Sequence, residues 1–162
     1  MKRRILHERL ASIVATMRHG ELLYIADSGC GTHKNALYEL DPAVEYIDLE
    51  AVTGSPSVED IVRTLEEAGD FEAAIVPEDM EDDSPAYYNM LIELFGSEHV
   101  HKINSAPDMY EIRNHCKALV QTGDIGVNAN VILVAGYPGG ALDLDLVTGK
   151  KKYTTIPKSE RR

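Results

Sequence analysis

The chain has 162 residues and a formal net charge of −11 at pH 7. A chain of this length buries one core, so we predict one domain at residues 1–137 and treat 138–162, where the composition changes, as a C-terminal extension. The acidic excess argues against a nucleic-acid partner and leaves neutral small molecules. No apolar run is long enough for a membrane span or a secretory signal, so we expect a cytoplasmic protein with no membrane partner.

The first predicted element is an amphipathic helix that begins near residue 6. Its apolar face has the spacing i, i+3, i+4 and i+7: Leu10, Ile13, Val14 and Met17. We expect this helix to end at His19 or Gly20, because glycine readily adopts the left-handed conformation that closes a helix. The apolar run 22–26 then predicts a strand covered on both faces, with Asp27 at its carboxyl end.

Helices and strands alternate along the rest of the domain. The predicted strands are 44–49, 71–77, 99–103 and 129–136. The predicted helices are one that includes Val58, Ile61, Val62 and Leu65 and is capped by Ser55 or Ser57, one at 84–96, and one from Pro107 to about Gly123 that carries Met109, Ile112, Cys116, Leu119 and Val120. The acidic stretch 77–85 is interpreted as a solvated loop, and the extension as an edge hairpin. The alternation predicts an α/β fold, a layered αβα arrangement with a largely parallel sheet.

Candidate ligand-binding residues lie beside two of the predicted strands. In open α/β sheets, ligands bind beyond the carboxyl ends of the strands, where Asp27 is placed. The alternative is that Asp27 only closes the turn of "DSGCG". Asn128 and Asn130 precede the most apolar strand and offer the donors and acceptors that suit sugar hydroxyls, with a simple turn as the alternative. His19 is either a functional side chain or an ordinary helix-terminal histidine.

Three other patterns point to different chemistries. "GCGTHK" at 29–34 partly matches a dinucleotide-binding loop, but Lys34 occupies the third glycine position. Cys30 would be a nucleophile only if a histidine activated it; otherwise it and Cys116 are free, reduced thiols. His99 and His101 have the spacing of metal ligands on a strand but no third ligand, so no metal site is predicted.

Two motifs resemble the family of D-ribose pyranases and L-fucose mutarotases. "LASIVATMRHGELLYIADSG" matches its helix, His-Gly, apolar strand and Asp, and "LVQTGDIGVNANVILVAG" matches its closing motif of a Thr-Gly-Glu type turn, an asparagine and a final strand. The resemblance spans roughly residues 5–137. It implies an RbsD-like α/β fold, ring-like homo-oligomers and sites at subunit interfaces.

The resemblance also implies site roles. His19 would be the catalytic acid, Asp27 and Asn130 would bind the sugar, and the backbone at Ala129 would share in the binding. Asn128 stands where the family usually has tyrosine, and Ala106 where ribose pyranases carry a sugar-contacting histidine.

The resemblance predicts a sugar isomerase that needs no cofactor. Opening a cyclic hemiacetal requires a proton at the ring oxygen while another leaves the anomeric hydroxyl, and an imidazole with an ordinary pKa near 6.5 can exchange protons around neutrality. We therefore expect a mutarotase or pyranase acting on a neutral monosaccharide. The alternatives are a non-catalytic sugar-binding or regulatory protein on the same scaffold and, less favoured by the charge, a nucleotide binder.

Overall fold

A computed structural model describes residues 2–30, 36–137, 140 and 145 of the chain. The predicted hairpin of the extension and most of the "GCGTHK" loop lie outside these residues. The strands are β1 (Leu22–Ala26), β2 (Glu45–Asp48), β3 (Phe71–Pro77), β4 (Val100–Ile103), β5 (Ala118–Gln121) and β6 (Val131–Ala135). The helices are α1 (Glu8–Ala15), α2 (Val58–Ala68), α3 (Met80–Asp83), α4 (Pro85–Phe95) and α5 (Asp108–Arg113).

The six strands form one sheet in the order β2-β5-β1-β6-β3-β4. The pairs β1–β5, β2–β5 and β3–β4 are parallel, whereas β6 runs antiparallel to both of its neighbours, β1 and β3. The predicted α/β fold with a largely parallel sheet is therefore confirmed. The single reversed strand has a functional consequence, because its amino end meets the carboxyl end of β1.

Apolar side chains cover both faces of the sheet. On one face, Leu23 and Ile25 of β1 belong to the same buried cluster as side chains of α1, α2 and α4. On the other face, Leu22 and Tyr24 belong to a second cluster with side chains of α5 and of the segment that leads into β2. Every residue of β1 is buried, as the continuous apolar run predicts for a strand between two layers.

The prediction that the first helix continues to His19 or Gly20 is wrong, because α1 ends at Ala15. The Thr16 N–H donates to Ile13 O at 3.1 Å and the next N–H to Val14 O at 3.3 Å, so the helix tightens and stops. The chain then turns, and Gly20 has a left-handed φ of 80° as expected. Its N–H donates to Ala135 O at 2.9 Å, which joins this turn to the end of β6.

The predicted helix from Pro107 to Gly123 is also wrong, because it merges two elements. α5 ends at Arg113, and the next apolar residues form β5. Every residue of β5 is buried, and the strand is hydrogen-bonded between β1 and β2. A short apolar run fits both a helix and a buried strand, and only the two neighbouring strands decide between them.

The other predicted elements match the observed ones closely. Ser57, and not Ser55, caps α2, with its side chain accepting from the Asp60 N–H at 3.0 Å. The acidic stretch contains one helical turn, α3. His99 belongs to a short 3-10 turn and not to a strand, so the pairing of His99 and His101 on one strand face is wrong.

Candidate active site

A cleft of about 370 Å³ opens at the edge of the sheet where β1 ends and β6 begins. Because β6 is antiparallel to β1, with Ile25 opposite Val131, the residues after β1 and those before β6 reach the same edge. The side chains that line the cleft include Asp27, Cys30, Tyr110, Asp124, Asn128 and Asn130. The volume lies in the range of small-molecule sites.

Asp27 lies at the junction between the two strands. Its backbone N–H donates to Asn130 Oδ1 at 3.0 Å, and its carboxylate Oδ1 accepts from the Gly29 N–H at 2.9 Å. Asp27 therefore closes the turn after β1 and also lines the cleft. Burial raises the pKa of its carboxyl, the Gly29 N–H opposes this shift, and the negative charge of Asp124 adds to it.

The segment 128–130 meets Asp27 through its last residue. Asn128 has a positive φ of 51°, a conformation that asparagine tolerates better than most residues, and its Nδ2 donates to Asp83 Oδ2 at 2.7 Å. Ala129 is fully buried. Asn128 is thus a turn residue at the rim of the cleft, whereas Asn130 is bonded directly to the Asp27 backbone.

Asp124 is a buried carboxylate that sequence reasoning missed. Its Oδ2 accepts from the Val58 N–H at the start of α2 at 2.8 Å and from the Tyr87 hydroxyl, and its Oδ1 accepts from the Gly126 N–H at 2.8 Å. Its backbone carbonyl accepts from the Ser28 N–H at 2.8 Å. Asp124 therefore joins α2, α4, the turn after β1 and the loop that leads into β6.

Because Gly123 has no side chain, the turn that carries Asp124 can pack against the backbone of Val52 and Ser55. A Cβ at this position would lie 2.3 Å from Val52 O and 2.6 Å from Ser55 O, so a side chain would displace backbone. The signal that could have found Asp124 is its place in "TGD", the Thr-Gly-Glu type turn of the closing motif. The signal in the sequence is local, but two of the three donors to the carboxylate, the Val58 N–H and the Tyr87 hydroxyl, come from distant elements.

An aromatic wall closes another side of the cleft. The ring of Tyr110 stacks on Tyr38 with centroids 4.4 Å apart, and the guanidinium of the fully buried Arg113 lies 4.9 Å from the Tyr110 centroid. Arg113 Nη2 also donates to Tyr38 O at 2.6 Å. Neither Tyr110 nor Arg113 was predicted, because the helix that carries them was read only for its apolar face. Ala106, two residues before α5, is exposed.

Cys30 contributes to the same wall but is not an activated nucleophile. Burial raises the pKa of its thiol, and the nearby Arg113 only partly opposes the shift. Its thiol donates to the Tyr24 hydroxyl at 4.0 Å and accepts from Arg113 Nη1 at 3.9 Å. Among the residues that the structure describes, no three His, Cys, Asp or Glu side chains form a group suited to a metal ion.

His19 lies at the opposite edge of the sheet. It precedes β1 whereas Asp27 follows it, and the five residues of β1 alone extend over roughly 15 Å. His19 Nε2 is 3.2 Å from Glu72 Oε1, and its ring stacks on Tyr137 with centroids 5.6 Å apart. One chain therefore brings Asp27 and Asn130 together with Asn128 at the rim, and it holds His19 apart from them.

The fold and the cleft define a small α/β protein with a polar pocket at a sheet edge. The model of the RbsD / FucU transport protein family matches residues 1–138, and the chain belongs to this family. A D-ribose pyranase of Symbiobacterium thermophilum is 36% identical over 135 residues, which cover 83% of this chain and 96% of the relative. A D-ribose pyranase of a Thermoanaerobacter species is 30% identical, with 82% and 94% covered.

Two solved structures share the fold. Bacillus subtilis RbsD complexed with D-ribose superposes with a TM-score of 0.72 at 26% identity, covering 85% of this chain and 98% of that one. The fucose mutarotase of Streptococcus pneumoniae, in complex with L-fucose, has a TM-score of 0.65 at 17% identity, with 82% and 94% covered. None of the described helices has the length and apolar character needed to cross a bilayer.

Proposed function

We propose that this protein is a cytoplasmic, cofactor-independent isomerase that interconverts the anomers or ring forms of a free neutral monosaccharide. The observation that carries the proposal is the junction of Asp27 and Asn130 at a cleft of about 370 Å³, in a chain whose relatives are D-ribose pyranases. A carboxylate and a carboxamide at one edge offer the acceptors and donors that sugar hydroxyls require.

We further propose that the protein is a homo-oligomer in which His19 of one copy completes the cleft of a neighbouring copy. Two features support this arrangement. His19 and Asp27 lie at opposite ends of β1 in one chain, and both edges carry exposed apolar side chains. Tyr137, beside His19, is 61% exposed, and Ile125 at the cleft rim is 69% exposed.

In the proposed reaction, His19 acts as the acid. Its imidazolium gives a proton to the ring oxygen as the bond from that oxygen to the anomeric carbon breaks, and the anomeric hydroxyl loses its proton as the carbonyl forms. Rotation and reclosure, with the proton returning to the imidazole, give the other anomer or ring size. Asp27 and Asn130 hold hydroxyls so that the ring oxygen meets His19 in one orientation. Asp27, whose pKa is raised, accepts the proton of the anomeric hydroxyl as the ring opens and returns it on reclosure.

Magnetisation-exchange NMR on a panel of free pentoses and hexoses, beginning with D-ribose and L-fucose, tests the proposal. We expect the wild-type protein to accelerate the exchange of at least one sugar. His19→Ala should reduce that acceleration roughly 10²- to 10⁴-fold. His99→Ala, at a histidine of the 3-10 turn before β4, is the matched control and should remain fully active.

The outcomes separate the candidate functions. If saturation-transfer NMR detects binding of a sugar but no sugar shows accelerated exchange, the enzymatic proposal fails and a sugar-binding protein is favoured. If nucleotides raise the melting temperature of the protein and sugars do not, both the enzymatic and the sugar-binding function are contradicted. Full activity of His19→Ala would show that the acid is a different residue.

A further inference from the structure

The ends of three neighbouring strands converge around His19. His19 precedes β1, Tyr137 follows β6, and Glu72 is the second residue of β3. The main chains are joined here, since Gly20 N donates to Ala135 O and Ala135 N donates to Glu21 O, both at 2.9 Å. The position of the imidazole is therefore set by the sheet itself.

The sheet has an irregularity at Glu72. Phe71 lies opposite Ala135, but Ala73 lies opposite Val134, so β3 has one more residue than β6 in this interval. The extra residue is Glu72, and such a β-bulge turns a side chain away from the regular alternation of the strand. Bulges of this kind are over-represented next to active sites.

The carboxylate of Glu72 is directed at the imidazole. Oε1 is 3.2 Å from His19 Nε2, and the Glu72 side chain is only 13% exposed. Tyr137 stacks against the ring at an interplanar angle of 24°. The stacking fixes the plane of the ring and the hydrogen bond fixes its rotation in that plane. An ionised carboxylate accepts and never donates, so this pairing favours the tautomer that carries its hydrogen on Nε2.

We propose that Glu72 is a positioning residue for His19 that keeps the proton on Nε2 and so makes Nδ1 the nitrogen that exchanges a proton with the sugar. This inference rests on the proposed function. Nδ1 has no hydrogen-bond partner within residues 2–30 and 36–137. The Nδ1 proton passes to the ring oxygen and returns on reclosure, while the other proton stays on Nε2, hydrogen-bonded to the Glu72 carboxylate throughout. Carboxylates that orient a catalytic or ligating histidine act in the same way.

The test compares Glu72→Ala, Glu72→Gln and Glu98→Ala. Glu98 is the matched control, because its exposed carboxylate contacts His99 at 3.7 Å in another histidine–glutamate pair. We expect Glu72→Ala to lower kcat roughly 10- to 100-fold with little change in KM, because Glu72 orients the acid and does not touch the sugar. Glu72→Gln keeps an oxygen that accepts from Nε2, so it should restore most of kcat. Glu98→Ala should match the wild type.

A second readout does not depend on catalysis. In protein labelled with ¹⁵N-histidine, the wild type and Glu72→Gln should show a slowly exchanging Nε2–H resonance that is absent from Glu72→Ala and from His19→Ala. If the wild type has this resonance but accelerates no sugar exchange, the proposed function fails while Glu72 is shown to hold the ring. Unchanged kcat in Glu72→Ala, a change confined to KM, or no rescue by glutamine would overturn the positioning role.

Discussion

The two edges of the sheet are built in different ways. At the cleft edge, Asp27, Asp124 and Asn130 are bonded to the backbone of their own chain, and the first two are almost fully buried. At the other edge, His19 is hydrogen-bonded to Glu72 and stacked on Tyr137, and it remains partly exposed. In the proposed site, the cleft edge would serve as a preformed binding surface, and the His19 edge would present the reactive group outwards.

This difference suggests how one small domain can support acid–base chemistry on a sugar. Binding groups need a rigid, desolvated surface that fixes the hydroxyls, whereas a proton donor must reach the ring oxygen from outside that surface. In the proposed site, these two requirements are assigned to opposite ends of β1, to Asp27 and to His19. Two copies of the chain would then supply one edge each to a shared site.

Mixing two inactive variants gives the largest expected effect. His19→Ala and Asp27→Asn should each lose nearly all exchange activity, but oligomers assembled from both chains should recover about a quarter of the wild-type rate if each site takes one edge from each of two copies at random. Magnetisation-exchange NMR on co-expressed chains measures the recovery. Co-expressed Asp27→Asn and Asn130→Ala, both at the cleft edge, are the control that should recover nothing. No recovery in the first mixture would contradict the shared site.

Removal of the Asp124 carboxylate should give the largest loss of stability. Asp124→Ala leaves the Val58 N–H, the Gly126 N–H and the Tyr87 hydroxyl without their acceptor, and we expect a loss of about 3 kcal/mol in the free energy of unfolding. Urea unfolding at a fixed protein concentration measures it. Tyr87→Phe removes one of these bonds and should cost about 1 kcal/mol. Equal effects of the two variants would show that the backbone donors do not depend on Asp124.

Substitution of Tyr110 should weaken sugar binding without changing proton transfer by His19. Tyr110→Ala removes the aromatic wall of the cleft, so we expect KM to rise about 10-fold with little change in kcat. Tyr88→Ala is the control, because Tyr88 also has a cation above its ring, Lys102 Nζ at 4.9 Å from the centroid, but belongs to α4 away from the cleft lining. A fall in kcat at constant KM would contradict the assignment of Tyr110 to the binding edge.

The smallest expected effect is the change in stability caused by Asp27→Asn, a modest gain. The raised pKa of Asp27 in the folded state means that its stabilising contribution is complete below the ordinary pKa and is lost as the pH rises through the folded value. The melting temperature of Asp27→Asn should therefore exceed that of the wild type at neutral pH, and the gap should shrink on acidification. Thermal melts of both proteins, from neutral pH down to the ordinary pKa of aspartate, measure the difference in melting temperature. A lower melting temperature for the variant at neutral pH would contradict the predicted cost of the ionised carboxylate.

Much of the fold could be predicted because its signals are local. The continuous apolar run of β1 predicts a strand buried on both faces. The apolar spacing of α2 and the serines that precede it predict an amphipathic, capped helix. Position 27 could likewise be recognised as lying at a strand end. The identity of β5 could not be predicted in this way, since its four residues form a strand only through hydrogen bonds to β1 and β2.

The sequence alone determined the alternation of helices and strands and the two family motifs, because both depend on neighbouring residues. Only the tertiary structure decided that β6 runs antiparallel, which brings Asn130 to Asp27 and leaves His19 at the far edge. It also decided that a bulge in β3 turns Glu72 towards His19 and that Asp124 receives donors from α2 and α4. These contacts join residues 37 to 103 positions apart, and no local pattern specifies such pairings.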